Sequence, residues 1–302
     1  MEQVTIQKDT VIEGLFKDYE SRDLEDRSII EVVSSGNLKE GLDKFEKYLK
    51  GTPLSILNSD KDPIILEPCE ISRFVLGLKN YEGHHLFNLS SIKFINLLIS
   101  NSYEAGNNDF NFNTRNILSS SSCLGKDLSG SKENRLKISI VGDIGFNSFS
   151  GSKYVDLVLE GNMRESFGYS SESLHANIYG DVGYSFGEGS TDLVTSINGD
   201  VEDSFGLYSK NLTAMIKGKV ENLFGGESNN LFAKIDGDID YNIGFNSVDM
   251  VAILSDEVRA DGYNYLPSHH KNLKLILEID ARSNSVYLQR LKQLEEVTKW
   301  LI

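Results

Sequence analysis

The sequence contains few cysteines and no long apolar run. Its 302 residues include 2 cysteines, too few for a disulfide-stapled scaffold and typical of a reducing compartment. No stretch of about 18 consecutive apolar residues is present, which excludes an ordinary membrane-spanning helix. The N-terminus also lacks the charged-then-apolar pattern of a secretion signal. From these absences we expect a soluble, cytoplasmic protein with no membrane partner.

Basic residues are also scarce. The chain has 30 Lys and Arg against 45 Asp and Glu, a formal net charge of −15. Residues 136–258 carry 19 acidic and 7 basic residues, and Arg164 is the one arginine among them. A phosphate backbone would be repelled by such a stretch. We therefore expect no nucleic-acid partner.

Glycine recurs every 19 residues, at Gly142, Gly161, Gly180, Gly199, Gly218 and Gly237. Counting this glycine as position 0, position 6 is phenylalanine and position 7 is glycine in four consecutive units: Phe167 and Gly168, Phe186 and Gly187, Phe205 and Gly206, Phe224 and Gly225. Positions 13, 15 and 17 are mostly apolar, as in Leu174, Ala176 and Ile178. This alternation is typical of a strand with one face inward.

Self-similarity at this period predicts a solenoid, and short strands between glycine corners predict a parallel β-helix. We expect a right-handed coil, because the left-handed form is built from hexapeptides and 19 is not a multiple of six. The frame runs from Leu136 to Val258. In its first coil Phe149 stands one place late, which predicts a one-residue bulge near Asn147.

The segment Gly180–Asp200, GDVGYSFGEGSTDLVTSINGD, resembles the glycine-repeat coils of two enzyme families, found in the C-terminal domain of glutamate synthase and in one of the subunits of formylmethanofuran dehydrogenase. The best match is Gly180, Asp181, Gly183 and Gly187, and the resemblance covers residues 136–258. The fourth-position glycine is replaced at Arg164, Glu202, Glu221 and Asp240. In those families the β-helix is a scaffold without catalytic residues, so the resemblance implies a scaffold here.

Residues 1–128 are predicted to form an α-rich mixed domain that ends in a linker, before a β-helix at 129–258. Asn37 and Glu40 predict a capping box, which opens a helix with Leu38, Leu42, Phe45 and Leu49 on one face. A second helix is predicted at Ser90–Tyr103, with Ile92, Ile95, Leu98 and Ile99 on its apolar side. Strands are predicted at Ile64–Leu66 and Phe74–Leu76, and a linker or irregular cap at Asn107–Glu133.

Residues 259–302 form the last predicted region. Leu273–Ile279 alternates like a strand, and Ser285 begins a predicted helix to Ile302 with an apolar stripe at Tyr287, Leu291, Leu294 and Leu301. Such a helix could cap the open end of the solenoid, where backbone groups lack partners. Alternatively, its stripe could contact a protein partner or a second copy of the chain.

The one candidate binding site is a ladder of acids directly after the corner glycine: Asp143, Asp181, Asp200 and Asp238, interrupted by Asn162 and Lys219. Stacked carboxylates could hold a hard cation such as Ca²⁺, or they could form a solvated polar edge. The five histidines are expected at the surface, His175 among them. The serine column Ser171, Ser190, Ser209, Ser228 and Ser247 predicts a hydrogen-bonded turn ladder.

No catalytic constellation and no cofactor site emerges from these patterns. Cys69 and Cys123 cannot hold an iron-sulfur cluster alone, since that requires four thiolates. The favoured hypothesis is a non-catalytic scaffold or protein-interaction subunit. The alternatives are an enzyme whose site lies in residues 1–128 and a module that binds metal through the acidic ladder.

Overall fold

The computed structural model describes residues 36–58, 63–81, 83–115, 122–240, 242–254 and 274–277, together with 288–289 and 292. All of them belong to one compact unit, residues 33–302. Within these ranges a group of helices is followed by a parallel β-sheet.

Four α-helices lie in the described part of the N-terminal region: α1 Gly36–Leu49, α2 Leu54–Leu57, α3 Pro68–Gly77 and α4 Phe87–Glu104. A short 3₁₀ helix, Leu78–Tyr81, follows α3. The rings of Phe45, Phe74 and Phe94 meet at centroid distances of 5.2 to 5.5 Å and fill the space between α1, α3 and α4. Both predicted helices are confirmed, and the four apolar residues predicted for the second are buried in α4.

Two strand predictions in this region are wrong. Phe74–Leu76 belongs to α3, because Pro68 suits the first helical turn and Glu70 Oε2 accepts the N–H of Glu67 at 3.0 Å. Ile64–Leu66 alternates buried, exposed, buried, but it forms no strand and pairs with none among the described residues. Alternating burial alone therefore did not identify a strand here.

The predicted capping box at the start of α1 is also wrong. The helix includes Gly36, so Asn37 already lies inside its first turn and Glu40 one turn further along. A side chain inside the helix cannot take the N-cap position. Leu42, predicted on the apolar side, is half-buried.

Nine strands in the described residues form one parallel sheet, in which each strand pairs with the next along the chain. They are β1 Asp109–Asn113, β2 Leu136–Val141, β3 Lys153–Glu160, β4 Glu172–Ile178, β5 Val194–Ile197, β6 Lys210–Ile216, β7 Asn229–Ile235, β8 Val248–Leu254 and β9 Lys274–Leu277. From β2 to β8 the register advances 19 residues per strand, from Leu136 opposite Val155 to Ile235 opposite Leu254. The predicted fold class, a mainly β parallel β-helix of 19-residue coils, is confirmed.

The sheet extends beyond residues 129–258 at both ends. β1 lies in Asn107–Glu133, so the prediction of a linker or irregular cap is wrong for residues 109–113, whereas the described residues 122–133 contain turns, bends and a single bridge. Its Phe110 and Phe112 are buried and alternate with polar residues, which gives β1 an inward face. At the other end, β9 falls within the strand predicted at Leu273–Ile279 and pairs with β8.

The predicted C-terminal helix lies outside the described residues except at Leu288, Gln289 and Lys292, which are helical. Its predicted apolar stripe, Tyr287, Leu291, Leu294 and Leu301, lies outside them entirely.

A column of phenylalanine rings forms the centre of the solenoid. Phe167, Phe186, Phe205 and Phe224 are fully buried, and successive rings stack at centroid distances of 4.9 to 5.0 Å. That spacing matches the distance of about 4.8 Å between paired strands, so each coil contributes one ring. The inward columns beside it are buried as predicted, for example Leu174, Ala176 and Ile178.

The first coil keeps its register, and the bulge predicted near Asn147 is wrong. Ser148 O accepts the N–H of Gly168 at 2.9 Å, just as Phe167 O accepts that of Gly187 at 2.7 Å. Phe149 therefore occupies position 7 without any inserted residue. It adopts a φ of 54°, and its ring still reaches the stack, 5.4 Å from the ring of Phe167.

The two glycine columns are required for different reasons. At position 0 two coils approach closely: a Cβ on Gly161 would lie 2.5 Å from the carbonyl oxygen of Gly142. At position 7 the backbone is left-handed, with φ of 65° at Gly187, a region that residues with a Cβ occupy at a cost.

The helices cover the first coil of the solenoid. α3 packs on β1, and Ser72 Oγ donates to the carbonyl of Asn111. Asn96 of α4 donates from Nδ2 to Cys123 O and accepts from the N–H of Gly125 through Oδ1, both at 2.9 Å. One amide side chain thus supplies the donor and the acceptor that a preceding coil would offer, and it closes part of an open edge.

We expect Gly161→Ala to lower the free energy of unfolding by about 2 to 4 kcal/mol, because the new methyl group would press on the backbone of the coil below. Chemical denaturation measures this change. Gly83→Ala is the control, since a Cβ at Gly83 would meet no atom within 4 Å. Equal stability of the two variants would contradict the assigned close approach.

Phe205→Ala should cost about 3 to 5 kcal/mol, because it removes a fully buried ring that stacks on both neighbours. The exposed Lys210 provides the comparison, and Lys210→Ala should change stability by less than about 0.5 kcal/mol. Thermal unfolding of both variants would test the assignment of inward and outward positions.

Candidate functional site

The predicted acidic ladder is a column of exposed side chains that also links the coils. Asp143 Oδ1 accepts the backbone N–H of Asn162 at 2.8 Å, and Asn162 Oδ1 accepts that of Asp181 at 2.8 Å. The series continues from Asp181 Oδ1 to the N–H of Asp200 at 2.9 Å, and from Asp200 Oδ1 to the N–H of Lys219 at 2.7 Å. Each side chain therefore binds the backbone of the next coil.

This role explains the residue types in the column. The residue after the corner glycine needs a partner for its N–H, and a short side chain with an sp² oxygen reaches it from the coil below. Asn162 performs the same role as its aspartate neighbours. Lys219 has no side-chain oxygen, so the series of hydrogen bonds ends at its N–H. Asp238 follows in the next coil, beyond this interruption.

The same column was the predicted metal site. Among the described residues no group of three or more His, Cys, Asp or Glu side chains is placed to hold a metal ion. One carboxylate oxygen each of Asp143, Asp181 and Asp200 is already engaged with backbone N–H groups. The calcium hypothesis stays a prediction.

Further acids flank the ladder at positions 3 and 4. We define the acidic face as the carboxylates of positions 1, 3 and 4 of the coils: Asp143, Asp181, Asp200, Asp238, Glu165, Glu202, Asp203, Glu221 and Asp240. Two basic residues share these positions. Lys219 Nζ pairs with Asp240 at 2.8 Å and with Glu221 at 3.6 Å, and Arg164 lies over the ring of Phe146, 5.6 Å from its centroid.

Like charges on neighbouring coils contribute to raised pKa values at Glu202 and Tyr184. The pKa of Glu202 is raised, first by partial burial and then by the charges of Glu221 and Glu165. The pKa of the Tyr184 phenol is raised by the charge of Glu165, a hydrogen bond to it and the charge of Glu202. Negative charges therefore repel one another along the acidic face.

A second charged cluster, which no sequence pattern predicted, lies on the outward face of β3 and β4. Asp156 Oδ1 accepts from Arg135 Nε at 2.6 Å and lies 3.0 Å from His175 Nδ1. Arg135 Nη2 also donates to the carbonyls of Val155 and Ser173. Burial would raise the pKa of Asp156, but hydrogen bonds from His175 and Arg135 outweigh it and lower that pKa.

The geometry of this cluster indicates a structural role, in which one side chain links neighbouring strands. Arg135 binds carbonyls of two neighbouring strands, and its carboxylate partner neutralises its charge. The signal for part of it was in the repeat, since Asp156 and His175 are 19 residues apart and stack in one column. Arg135 precedes β2 and belongs to no predicted column, so the repeat pattern did not predict its role.

The other candidate side chains that the structure describes do not assemble into a site. His84 and His85 stack on each other with centroids 4.7 Å apart. Cys69 is exposed and Cys123 half-buried, and both are free thiols.

The serine side chains of the predicted column are buried, and only some of their hydroxyl groups form hydrogen bonds. The Oγ of Ser228 donates to Gly225 O at 2.6 Å. The Oγ atoms of Ser152, Ser171, Ser190 and Ser209 have no hydrogen-bond partner among the described residues. The predicted turn ladder is nevertheless present in the backbone, because the N–H of each serine of the column donates to the carbonyl three residues earlier, as Ser190 does to Gly187 O at 3.1 Å.

Comparison with models of protein families, with curated proteins and with solved structures finds no match to this chain. Within the part of the chain that the structure describes, no helix combines the length and the apolar character needed to cross a membrane.

The ladder yields a matched pair of variants. Asp200→Ala should lower the free energy of unfolding by about 1 kcal/mol, because the N–H of Lys219 loses its acceptor. Asp200→Asn keeps an oxygen in place, as Asn162 does, and should change stability by less than about 0.5 kcal/mol. Equal losses in urea denaturation would mean that the charge, rather than the hydrogen bond, stabilises the coil.

Proposed function

We propose that this chain is a non-catalytic scaffold or protein-interaction subunit, and that its acidic face binds a basic segment of another protein. The observation that carries the proposal is the unbroken register from β2 to β8. No insertion interrupts the 19-residue step there, so no loop rises from these coils to form the walls of a cleft. A long, regular surface suits docking better than it suits catalysis.

Charge indicates the chemistry of the partner. The nine carboxylates of the acidic face are spread over successive coils that lie about 4.8 Å apart, with two cations among them. Their mutual repulsion destabilises the free chain, and it adds to the effect of burial in raising the pKa of Glu202. A partner that brings lysines and arginines would relieve that repulsion, and complementary charge would speed association and fix its register.

The hydrogen bonding of the ladder supports the same interpretation. One carboxylate oxygen each of Asp181 and Asp200 is held by a backbone N–H of the next coil, which fixes the side chain at the surface. Less side-chain entropy is then lost when a cationic group binds the other oxygen. The acidic face is therefore partly organised before a partner arrives.

The test compares two fourfold variants of the full chain. The first changes Asp143, Asp181, Asp200 and Asp238 to Asn, which removes four charges and keeps every acceptor oxygen. The second removes four charges outside the acidic face: Glu160, Glu188 and Glu227 to Gln, and Asp249 to Asn. Binding of an oligolysine peptide is measured by calorimetry at low and at high salt, beside a calcium titration.

The first variant should bind the peptide about tenfold more weakly at low salt, with a smaller dependence on salt, and the second should stay close to wild type. Equal weakening by both variants would mean that only net charge matters and would overturn the proposed docking face. Tight calcium binding that is lost in the first variant would favour the metal-binding alternative. A pull-down with the tagged wild-type chain, repeated with both variants, then identifies the natural partner.

A further inference from the structure

One corner of the solenoid joins an asparagine to a glycine. Asn198 directly follows β5, and Gly199 is the corner glycine that begins the next coil. This is the single Asn-Gly pair in the sequence. The side chain of an asparagine can react with the backbone nitrogen of the following residue, and glycine hinders that reaction least because it has no Cβ. Asn198 therefore has the least hindered neighbour of any asparagine in the chain.

The side chain of Asn198 is not held by the coil. It is half-buried and forms no hydrogen bond with the residues that the structure describes. By contrast, Asn162 Oδ1 accepts the N–H of Asp181, and Asn211 Nδ2 donates to Asp192 Oδ1, both at 2.8 Å. Those bonds fix the two amide groups, whereas the amide group of Asn198 is free to turn toward the next peptide nitrogen.

The backbone of the pair is held on one side only. The N–H of Asn198 donates to Ile178 O at 2.9 Å. The N–H of Gly199 meets no acceptor among the described residues, whereas the N–H of the corner glycine of the first coil, Gly142, donates to Glu160 O at 2.9 Å. The nitrogen that would have to react is therefore not engaged in the hydrogen bonding of the coils.

We propose that Asn198 is a site of spontaneous succinimide formation in the folded protein, and that isoaspartate at this corner disrupts the coil. The nitrogen of Gly199 gives its proton to hydroxide and attacks Cγ of Asn198, so that a new C–N bond closes the ring. The C–N bond of the side-chain amide breaks, and its nitrogen takes a proton from water and leaves as ammonia. Water then opens the ring at either carbonyl carbon, which yields aspartate or isoaspartate.

Isoaspartate would change the path of the chain where two coils lie closest. Its backbone contains one additional carbon atom, placed between Ile197 and Gly199. A Cβ on Gly199 would already lie 2.5 Å from the carbonyl oxygen of Gly180, so the corner has no room for a longer chain. The displacement would draw the N–H of Asp200 away from Asp181 Oδ1, its acceptor at 2.9 Å.

Aspartate, the other product, leaves the backbone unchanged. The residue before the corner glycine is glutamate, tyrosine, lysine or aspartate in other coils, so this position accepts a range of side chains. The damage is therefore expected from the longer backbone of isoaspartate and not from the new charge.

The test follows the full chain during storage in warm, mildly alkaline buffer. Peptide mapping by mass spectrometry measures the replacement of the Asn198 amide group by a hydroxyl group, and an isoaspartyl methyltransferase detects isoaspartate. In the folded chain Asn198 should convert at least about tenfold faster than Asn211 and Asn230, which precede leucine. A parallel incubation in urea separates the effect of the fold from that of the dipeptide. Conversion in urea but not in the folded chain would overturn the proposal, because the corner would then protect the pair.

Two variants of Asn198 serve as matched controls. Asn198→Gln should abolish the conversion at this position and keep the stability of freshly prepared wild type, whereas conversion at a comparable rate would exclude the succinimide route. Freshly prepared Asn198→Asp carries the new charge without the longer backbone. A stored wild-type sample that is largely converted to isoaspartate should unfold at a lower urea concentration than Asn198→Asp. Equal midpoints would refute the proposed disruption of the coil.

Discussion

The close approach of coils at the corner glycines is the constraint on which the rest of the structure depends. Without a Cβ at Gly161, the next coil lies directly on the carbonyl of Gly142. This contact and the 19-residue register place every column of side chains in line. The phenylalanine rings stack at 4.9 to 5.0 Å, and the ladder carboxylates of Asp143, Asp181 and Asp200 each accept a backbone N–H of the next coil. A Cβ in that column would disturb all of these together.

Much of the fold could be predicted from the sequence because the turns and close approaches of the coils require one residue type, glycine, at a fixed spacing. The glycine at position 7 marks a left-handed φ that only glycine adopts freely. Positions 5, 9 and 12 are left-handed as well, for example Ser185, Gly189 and Asp192, but they are filled mostly by Ser, Asn and Asp and were not recognised. The bulge near Asn147 was wrongly predicted for a related reason. Phe149 occupies the left-handed position 7 that glycine fills in the following coils, so it appeared to be the position 6 phenylalanine displaced by one inserted residue.

The candidate site was predictable only as a column. The period aligned Asp143, Asp181 and Asp200, whereas their bonds to the next coil depend on backbone orientation. Hydrogen bonds between residues far apart in sequence, such as Arg135 with Asp156 or Asn96 with Gly125, could not be predicted, because no local sequence pattern marks them. The same stacking that organises the core forces like charges together on the acidic face, and the proposed binding of a basic partner rests on this concentration of negative charge.

The most direct test of this account duplicates one coil. A chain with residues 180–198 inserted a second time adds 19 residues and preserves every column, so we expect it to fold with unchanged or higher thermal stability. The same insertion shortened by one residue moves the following side chains to the opposite face. We expect that chain to lose its cooperative unfolding transition. Equal stability of the two chains would contradict a fold governed by coil register.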